Sequence, residues 1–302
     1  MANEYTSYDS VGKKEDVSPI ISNITPTKAP FTSLTKKETV DNTVFQWQED
    51  KLRDVAANKK KEGFVASAKA RVPTVMRENV TQIMEETFSV TGTNEAVSKY
   101  GRGKESAYEA AKTAAALKLD LEHAFTGTGQ DVVKPADNLT ERQFAGVQAQ
   151  IDSGNIVYTG NINTAITEAN YLDAAQAAYD EGGEPTITLV TPTNSRVFAG
   201  FTNASGRSRV INDREKAIVN AVNLYVSPFG EEKIVLSRFL KAGDTLLFDP
   251  AMWTRVVLKG RDWFRETLAK VGDKLDMMMV GEFSLKHKNR KASAMVRQMA
   301  AP

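Results

Sequence analysis

The 302-residue chain contains no cysteine and only two histidines, His123 and His287. Without cysteine there can be no disulfide, no thiolate nucleophile and no cysteine metal centre. Neither histidine belongs to an HExxH or comparable ligand spacing, so no metal site and no cofactor are expected. An excess of one charge is also missing: 39 Lys and Arg face 38 Asp and Glu, for a formal +1. Such a balance creates no global field to recruit nucleic acid or an anionic membrane. No apolar run approaches bilayer length, and the N-terminal MANEYTSYDSVGKKEDVS lacks the apolar core of a signal peptide. The expectation is a chain made in a cytoplasm, with no membrane partner. Gly101-Arg102-Gly103-Lys104 precedes a helix, but the phosphate-loop spacing GxxxxGK[ST] is absent, as is a GxSxG elbow. With no grouping of nucleophile, base and oxyanion donor, the sequence predicts no catalytic residue and no enzyme.

Hydrophobic residues make up 41% of the chain and charged residues 25%, a composition that folds and buries a core. The clearest element is a helix from Lys104 to Phe125, with apolar residues at Ala107, Ala110, Ala114, Leu117, Leu121 and Ala124 or Phe125. That spacing marks one helical face. The alanine-rich face with Ala111 and Ala115 suggests a helix laid across a sheet.

Read in order, residues 1 to about 22 form a polar, extended arm. Pro26 and Pro30 break the following segment, which Ile24, Phe31 and Leu34 can anchor on a core. Residues 43–52 alternate as a strand, with Phe45 and Trp47 on one face and Val44, Gln46 and Gln48 on the other. A second extended run covers 72–90, and the polar stretch 53–71 lies between the two. Together they read as a long two-stranded arm with a basic tip at Lys59, Lys60 and Lys61. Such a hairpin is marginal alone and gains stability if another subunit covers it.

Beyond the long helix, a helix is expected from Thr140, with Phe144, Val147 and Ile151 on one face, and another from Thr167 to the stop at Gly182. A buried strand at 186–190 follows, then a short helix capped by Thr191 with Pro192 at its first position. Four short strands, at 221–226, 233–236, 245–248 and in the run after Pro250, suggest one small sheet, and a longer strand spans 276–286. Glu85, Glu86, Glu231 and Glu232 read as solvated acidic pairs. The basic run 286–291, which has no interleaved aromatics, reads as solvated or intersubunit. Trp47, Trp253 and Trp263 read as packing residues.

Two long segments then carry a family resemblance. TPTKAPFTSLTKKETVDNTVFQWQEDKL resembles the opening, and FDPAMWTRVVLKGRDWFRETLAKVGDKLDMMMVGEFSLKHKNRKASA the closing segment, of the major head proteins of tailed bacteriophages related to phage SU-ten. The resemblance spans about residues 18–297. It implies an α+β chain of the Hong Kong 97 capsid fold, divided into an N-terminal arm and anchor (1–42), an extended β-hairpin loop (43–92), a peripheral domain with the spine helix (93–137), an axial domain (138–258) and a C-terminal return to the peripheral domain (259–302). It also implies a structural function in the virion: copies form pentamers and hexamers that close into an icosahedral shell around double-stranded DNA. An encapsulin-like cellular compartment, or another oligomeric binding protein on the same fold, is the alternative.

Phe45, Trp47, Lys59, Lys60, Lys61 and Arg71 are the intersubunit candidates, with noncovalent contacts expected because no cross-linking motif maps onto the lysines. No long N-terminal region is present to act as a fused scaffold, so a scaffold would be a separate protein. Portal and decoration proteins are further partners, and DNA is contacted nonspecifically at most. The loop at capsomer centres is expected within 201–212.

Overall fold

The computed structural model describes residues 28–53, 55–68, 71–101, 103–137, 139–204 and 224–301. The polar arm expected at 1–22 and most of the loop expected at 201–212 lie outside them. Pro30 opens a five-residue helix, Pro30–Leu34 (α1), where its missing N–H costs nothing. Strands Lys36–Val40 (β1) and Val44–Glu49 (β2) follow. Among the described residues of 50–74 there is no helix or strand. The chain returns as Val75–Val80 (β3) and continues as Gln82–Thr91 (β4). The short helix Gly92–Ala96 (α2) precedes the long helix Glu105–Thr126 (α3), which lies one residue beyond the span expected from periodicity.

Val147–Gln150 (α4), Ile156–Tyr158 (β5) and Glu168–Asp180 (α5) come next. Thr167 caps α5 in a reciprocal box with Asn170, meeting two of the helix's orphan groups. Ile187–Val190 (β6) leads into Pro192–Ala204 (α6), where the Thr191 hydroxyl accepts from Asn194 N at 3.3 Å, as the sequence suggests. The remainder is β: Leu224–Ser227 (β7), Gly230–Leu236 (β8), Asp244–Phe248 (β9), Trp253–Leu258 (β10), Phe264–Thr267 (β11), Lys274–His287 (β12) and Ala294–Arg297 (β13).

These strands build two sheets and a separate hairpin. In the first sheet the 14-residue β12 is central: β4 pairs along one edge, while β10 and β11 share the other, and β1 runs parallel to β10. The second has the order β5-β13-β9-β6-β8-β7. Among the described residues, β2 and β3 pair only with each other. Helix α3 packs on β4 and β12 of the first sheet. Phe31, Leu121, Phe125, Phe144, Leu246, Phe248, Trp253 and Phe283 fill the core joining the two sheets. A second core gathers α5, α6 and the second sheet around Tyr171, Phe198, Tyr225 and Val296.

Several expectations need correction. On α3 the buried line is Ala110, Thr113, Leu117, Leu121 and Ala124, whereas Ala107, Ala111 and Ala114 face solvent. No helix starts at Thr140, although Phe144, Val147 and Ile151 are all buried. The Phe144 carbonyl and both backbone groups of Ala145 are bound by side chains, Gln130 and Asn79 respectively, and helical turns would need those groups free. The run 72–90 is not one strand; it breaks at Thr81. The four short C-terminal strands do not share a sheet: β7, β8 and β9 join the second, whereas β10 pairs with β12 in the first. Glu231 is exposed as expected, but Glu232 is buried, because alternation along β8 points neighbouring side chains to opposite faces.

Candidate functional site

The β2–β3 hairpin is an arm. Its antiparallel register opposes Val44 to Val80, Trp47 to Arg77 and Glu49 to Val75. Alternation puts Phe45 and Trp47 on one half-buried face, with ring centroids 5.7 Å apart and planes 22° from parallel. Across the pair, Arg77 Nε meets Glu49 Oε2 at 2.9 Å and Gln46 donates to Glu78 at 3.1 Å. The Lys134 ammonium, bonded to Glu78, holds that carboxyl below the usual carboxylate range. Further out, Leu52 is 89%, Val65 90% and Val72 63% exposed. Apolar side chains this bare gain nothing from burial in the described chain. Lys59, Lys60, Lys61 and Arg71 are exposed on the same segment. The fold thus brings Phe45 and Trp47 together at the root and leaves the four basic candidates at its outer reach.

The root is fastened by buried polar groups that sequence reasoning did not single out. Asn79 is fully buried. Its amide donates to Leu285 O at 2.7 Å and Ala145 O at 3.3 Å, while its carbonyl accepts from Ala145 N and Val80 N, both at 2.9 Å. Two residues later, Thr81 N donates to Thr43 O at 2.8 Å and the Thr81 hydroxyl to Glu282 Oε1 at 2.5 Å. Glu282, on β12, is also held by Arg142 at 2.8 Å and Arg261 at 3.6 Å. Paired with two guanidiniums and a hydroxyl, this buried carboxylate has the partners that burial of charge demands. A charged residue inside an apolar strand was the available signal for Glu282, in MMMVGEFSL, whereas Asn79 follows Arg77 and Glu78 in VMRENV and nothing local sets it apart.

Other buried ionisable groups serve the fold. Glu122 on α3 accepts from Phe31 N at 2.9 Å, Thr32 N at 2.7 Å and the Thr32 hydroxyl at 2.6 Å, so it caps α1 and ties it to the long helix. Burial pushes its carboxyl above the usual range against those bonds. Burial likewise raises Asp244, opposed by Arg297, and Glu232, opposed by hydroxyls of Thr188 and Tyr171. None faces a nucleophile. His287, placed by sequence in a solvated basic run, is buried, because its strand β12 lies in the middle of the first sheet. Among the described residues no cluster of His, Cys, Asp or Glu could hold a metal ion. No helix there is long and apolar enough to cross a membrane.

Solved structures of low sequence identity superpose on this fold over nearly its whole length. The capsid of a native GTA particle superposes with a TM-score of 0.69 over 97% of this chain and 98% of its own, at 12% identity. The capsid protein of cyanophage P-SCSP1u gives 0.63 over 100% and 97%, at 14% identity. The SrpI encapsulin of Synechococcus elongatus PCC 7942 gives 0.64 over 100% and 98%, at 12%. These likenesses establish the Hong Kong 97 fold and, since they include an encapsulin, do not choose between its uses. Sequence does choose. The major capsid protein of Escherichia phage Phieco32 is 29% identical over 98% of this chain and 97% of its own. The profile of the SU10 major capsid protein family matches residues 2–300. The chain therefore belongs to the SU10 major capsid protein family, as a structural protein of the phage capsid and not an enzyme.

Proposed function

We propose that copies of this chain associate as pentamers and hexamers and close into an icosahedral shell around packaged double-stranded DNA, with each arm lying on a neighbouring subunit. The observation that carries this reading is the arm itself. Its root is fixed by buried hydrogen bonds while Leu52, Val65 and Val72 stand in solvent, an arrangement whose apolar area is recovered only against another chain. Phe45 and Trp47 serve at the root of this contact, and Lys59, Lys60, Lys61 and Arg71 at its outer end. The contacts are noncovalent.

In this reading the first sheet with α3 forms the peripheral domain, and the second sheet with α5 and α6 the axial domain at capsomer centres. By strand pairing, β10 goes with the former and β13 with the latter. Partners are a separate scaffold, portal and decoration proteins, with DNA touched without sequence preference. Synthesis takes place in the cytoplasm of the bacterial host.

The test is negative-stain microscopy with mass photometry of the chain expressed alone and with its neighbouring reading frames. Closed shells or rings of five and six that dissolve to single chains in SDS support the proposal. A small fixed oligomer in both settings sinks it, and an SDS-resistant ladder removes the noncovalent part.

A further inference from the structure

A cavity of about 180 Å³ lies beneath the arm's root, between its inner face and the body. Trp47, Glu49 and Arg77 line it from the arm, and Gln150, His287 and Arg290 from the body. Three of these six carry a buried polar atom with no hydrogen-bond partner: Trp47 Nε1, His287 Nδ1 and Arg290 Nε. The case is strongest for the first two. Arg290 Nε lies 3.1 Å from Asp152 Oδ2, near enough for charge pairing although its N–H is not aligned for a hydrogen bond.

For His287, the Ser293 hydroxyl sits 3.1 Å from Nε2 and also accepts from Trp253 Nε1 at 3.0 Å. Either tautomer satisfies Nε2 and leaves Nδ1 without a well-formed hydrogen bond, although the Gln150 backbone lies close enough to act on the ring. Leaving a buried donor without a partner costs about 1–3 kcal/mol. Native proteins keep few such groups, so several around one cavity mark a site that something else completes.

We infer that a second copy of this chain completes the cavity, inserting a neutral oxygen acceptor, a backbone carbonyl or an Asn or Gln side chain, that accepts a hydrogen bond from Trp47 Nε1. The chemistry follows from the lining. An indole N–H only donates, so its partner must accept. The lining charges already cancel in pairs, Arg77 with Glu49, Glu78 with Lys134 and Arg290 with Asp152, so an entering ion would find no counter-charge, whereas a carbonyl needs none. A space of that size takes one amide-bearing side chain with its backbone, or about six waters. Continuity selects the chain over water: the cavity adjoins the same arm whose outer apolar residues await a neighbour. The inference therefore rests on the assembly reading above.

Two measurements test it. A high-resolution map of assembled wild-type shells is expected to place an oxygen of another copy within about 3.2 Å of Trp47 Nε1. Separate water-sized peaks alone would overturn the inference even with the arm seated on a neighbour. Wild-type chains that form no shell would instead defeat the assembly reading, and this inference with it. The second measurement melts Trp47→Phe as unassembled subunits and as shells. The expected result is an unchanged or higher midpoint in subunits, where an unmet donor has been removed, and a midpoint several degrees lower in shells. Equal shifts in both forms would overturn it.

Discussion

The imidazole of His287 lies flat on the indole of Trp253, with centroids 3.8 Å apart and planes 7° from parallel. Burial in this stack pushes its pKa from 6.5 down to about 3, against a raising contribution from Gln150 and with a smaller lowering one from Arg290. Between those values the unfolded chain holds the extra proton and the folded one does not. Stability is therefore complete above about pH 6.5 and is lost as pH falls toward 3, by roughly 1.4 kcal/mol per pH unit at most. His287→Phe keeps an aromatic ring on the indole and should flatten this acid-side decline. Urea midpoints between about pH 4 and 7 measure it; parallel profiles for the two proteins would refute the assignment.

Glu232 works in the opposite direction. It lies beside Tyr171 and Thr188 hydroxyls, and burial raises its carboxyl above 4.5. Here the folded chain holds the proton more firmly than the unfolded one. Stability from this group is present below about pH 4.5 and declines as pH rises through the raised folded value. Glu232→Gln should remove that decline and leave a shallower fall between acidic and neutral pH than wild type. Unfolding midpoints compared at two pH values decide it.

Asn79 is the residue whose loss should cost the unassembled subunit most per atom removed. Asn79→Ala removes the side-chain acceptor of Ala145 N and Val80 N and one of the two amide donors on Ala145 O and Leu285 O, which Gln150 also binds. At about 1–3 kcal/mol for an unmet buried group, with water reaching some of them, a loss of roughly 2–4 kcal/mol is expected. Chemical denaturation of the subunit measures it, and a change under about 1 kcal/mol would show the root to be looser than these contacts imply.

Phe45 and Trp47 should behave differently. The double replacement Phe45→Ser and Trp47→Ser removes a half-buried ring pair on an arm that pairs only with itself. Shell yield should fall steeply, while the melting of α3 with its sheet changes little. Unchanged shell yield would count against the arm as an assembly element.

Proteolysis offers a direct comparison of states. Lys59, Lys60 and Lys61 are exposed in the subunit, so trypsin should nick there first. In shells the same sites should be cut at least about tenfold more slowly if a neighbour covers the arm. Equal rates would leave the arm's outer reach in solvent.

The elements legible in the sequence were those with a strong local signal. The long helix, Thr167 with its cap, Thr191-Pro192 and the alternation around Phe45 and Trp47 depend on neighbours within a few positions, and each forms within three residues of its expected place. What escaped depends on distant partners. The apolar spacing of Phe144, Val147 and Ile151 correctly marks burial but not helix, because Asn79, 66 positions from Ala145, holds the backbone in another shape. The break at Thr81 answers to Glu282, 201 positions away. Glu232 reads as solvated because nothing near it in sequence announces Tyr171 and Thr188. The alternation of the hairpin strand was therefore readable, and the buried polar contacts that fasten its root were not.

The position of β12 and β13 also sets an order of events in the making of each subunit. Both sheets take an inner strand from residues 274–297. Until that stretch is synthesised, β4 and β10 lack their shared partner, and β9 has one bare edge. Pairings across such separations close slowly, and translation supplies only some 5–20 residues each second. The Asn79 contact to Leu285 and the Thr81 contact to Glu282 are likewise unavailable to a shorter nascent chain. In the proposed assembly, a chain still short of these residues therefore carries an arm without either of these two anchors.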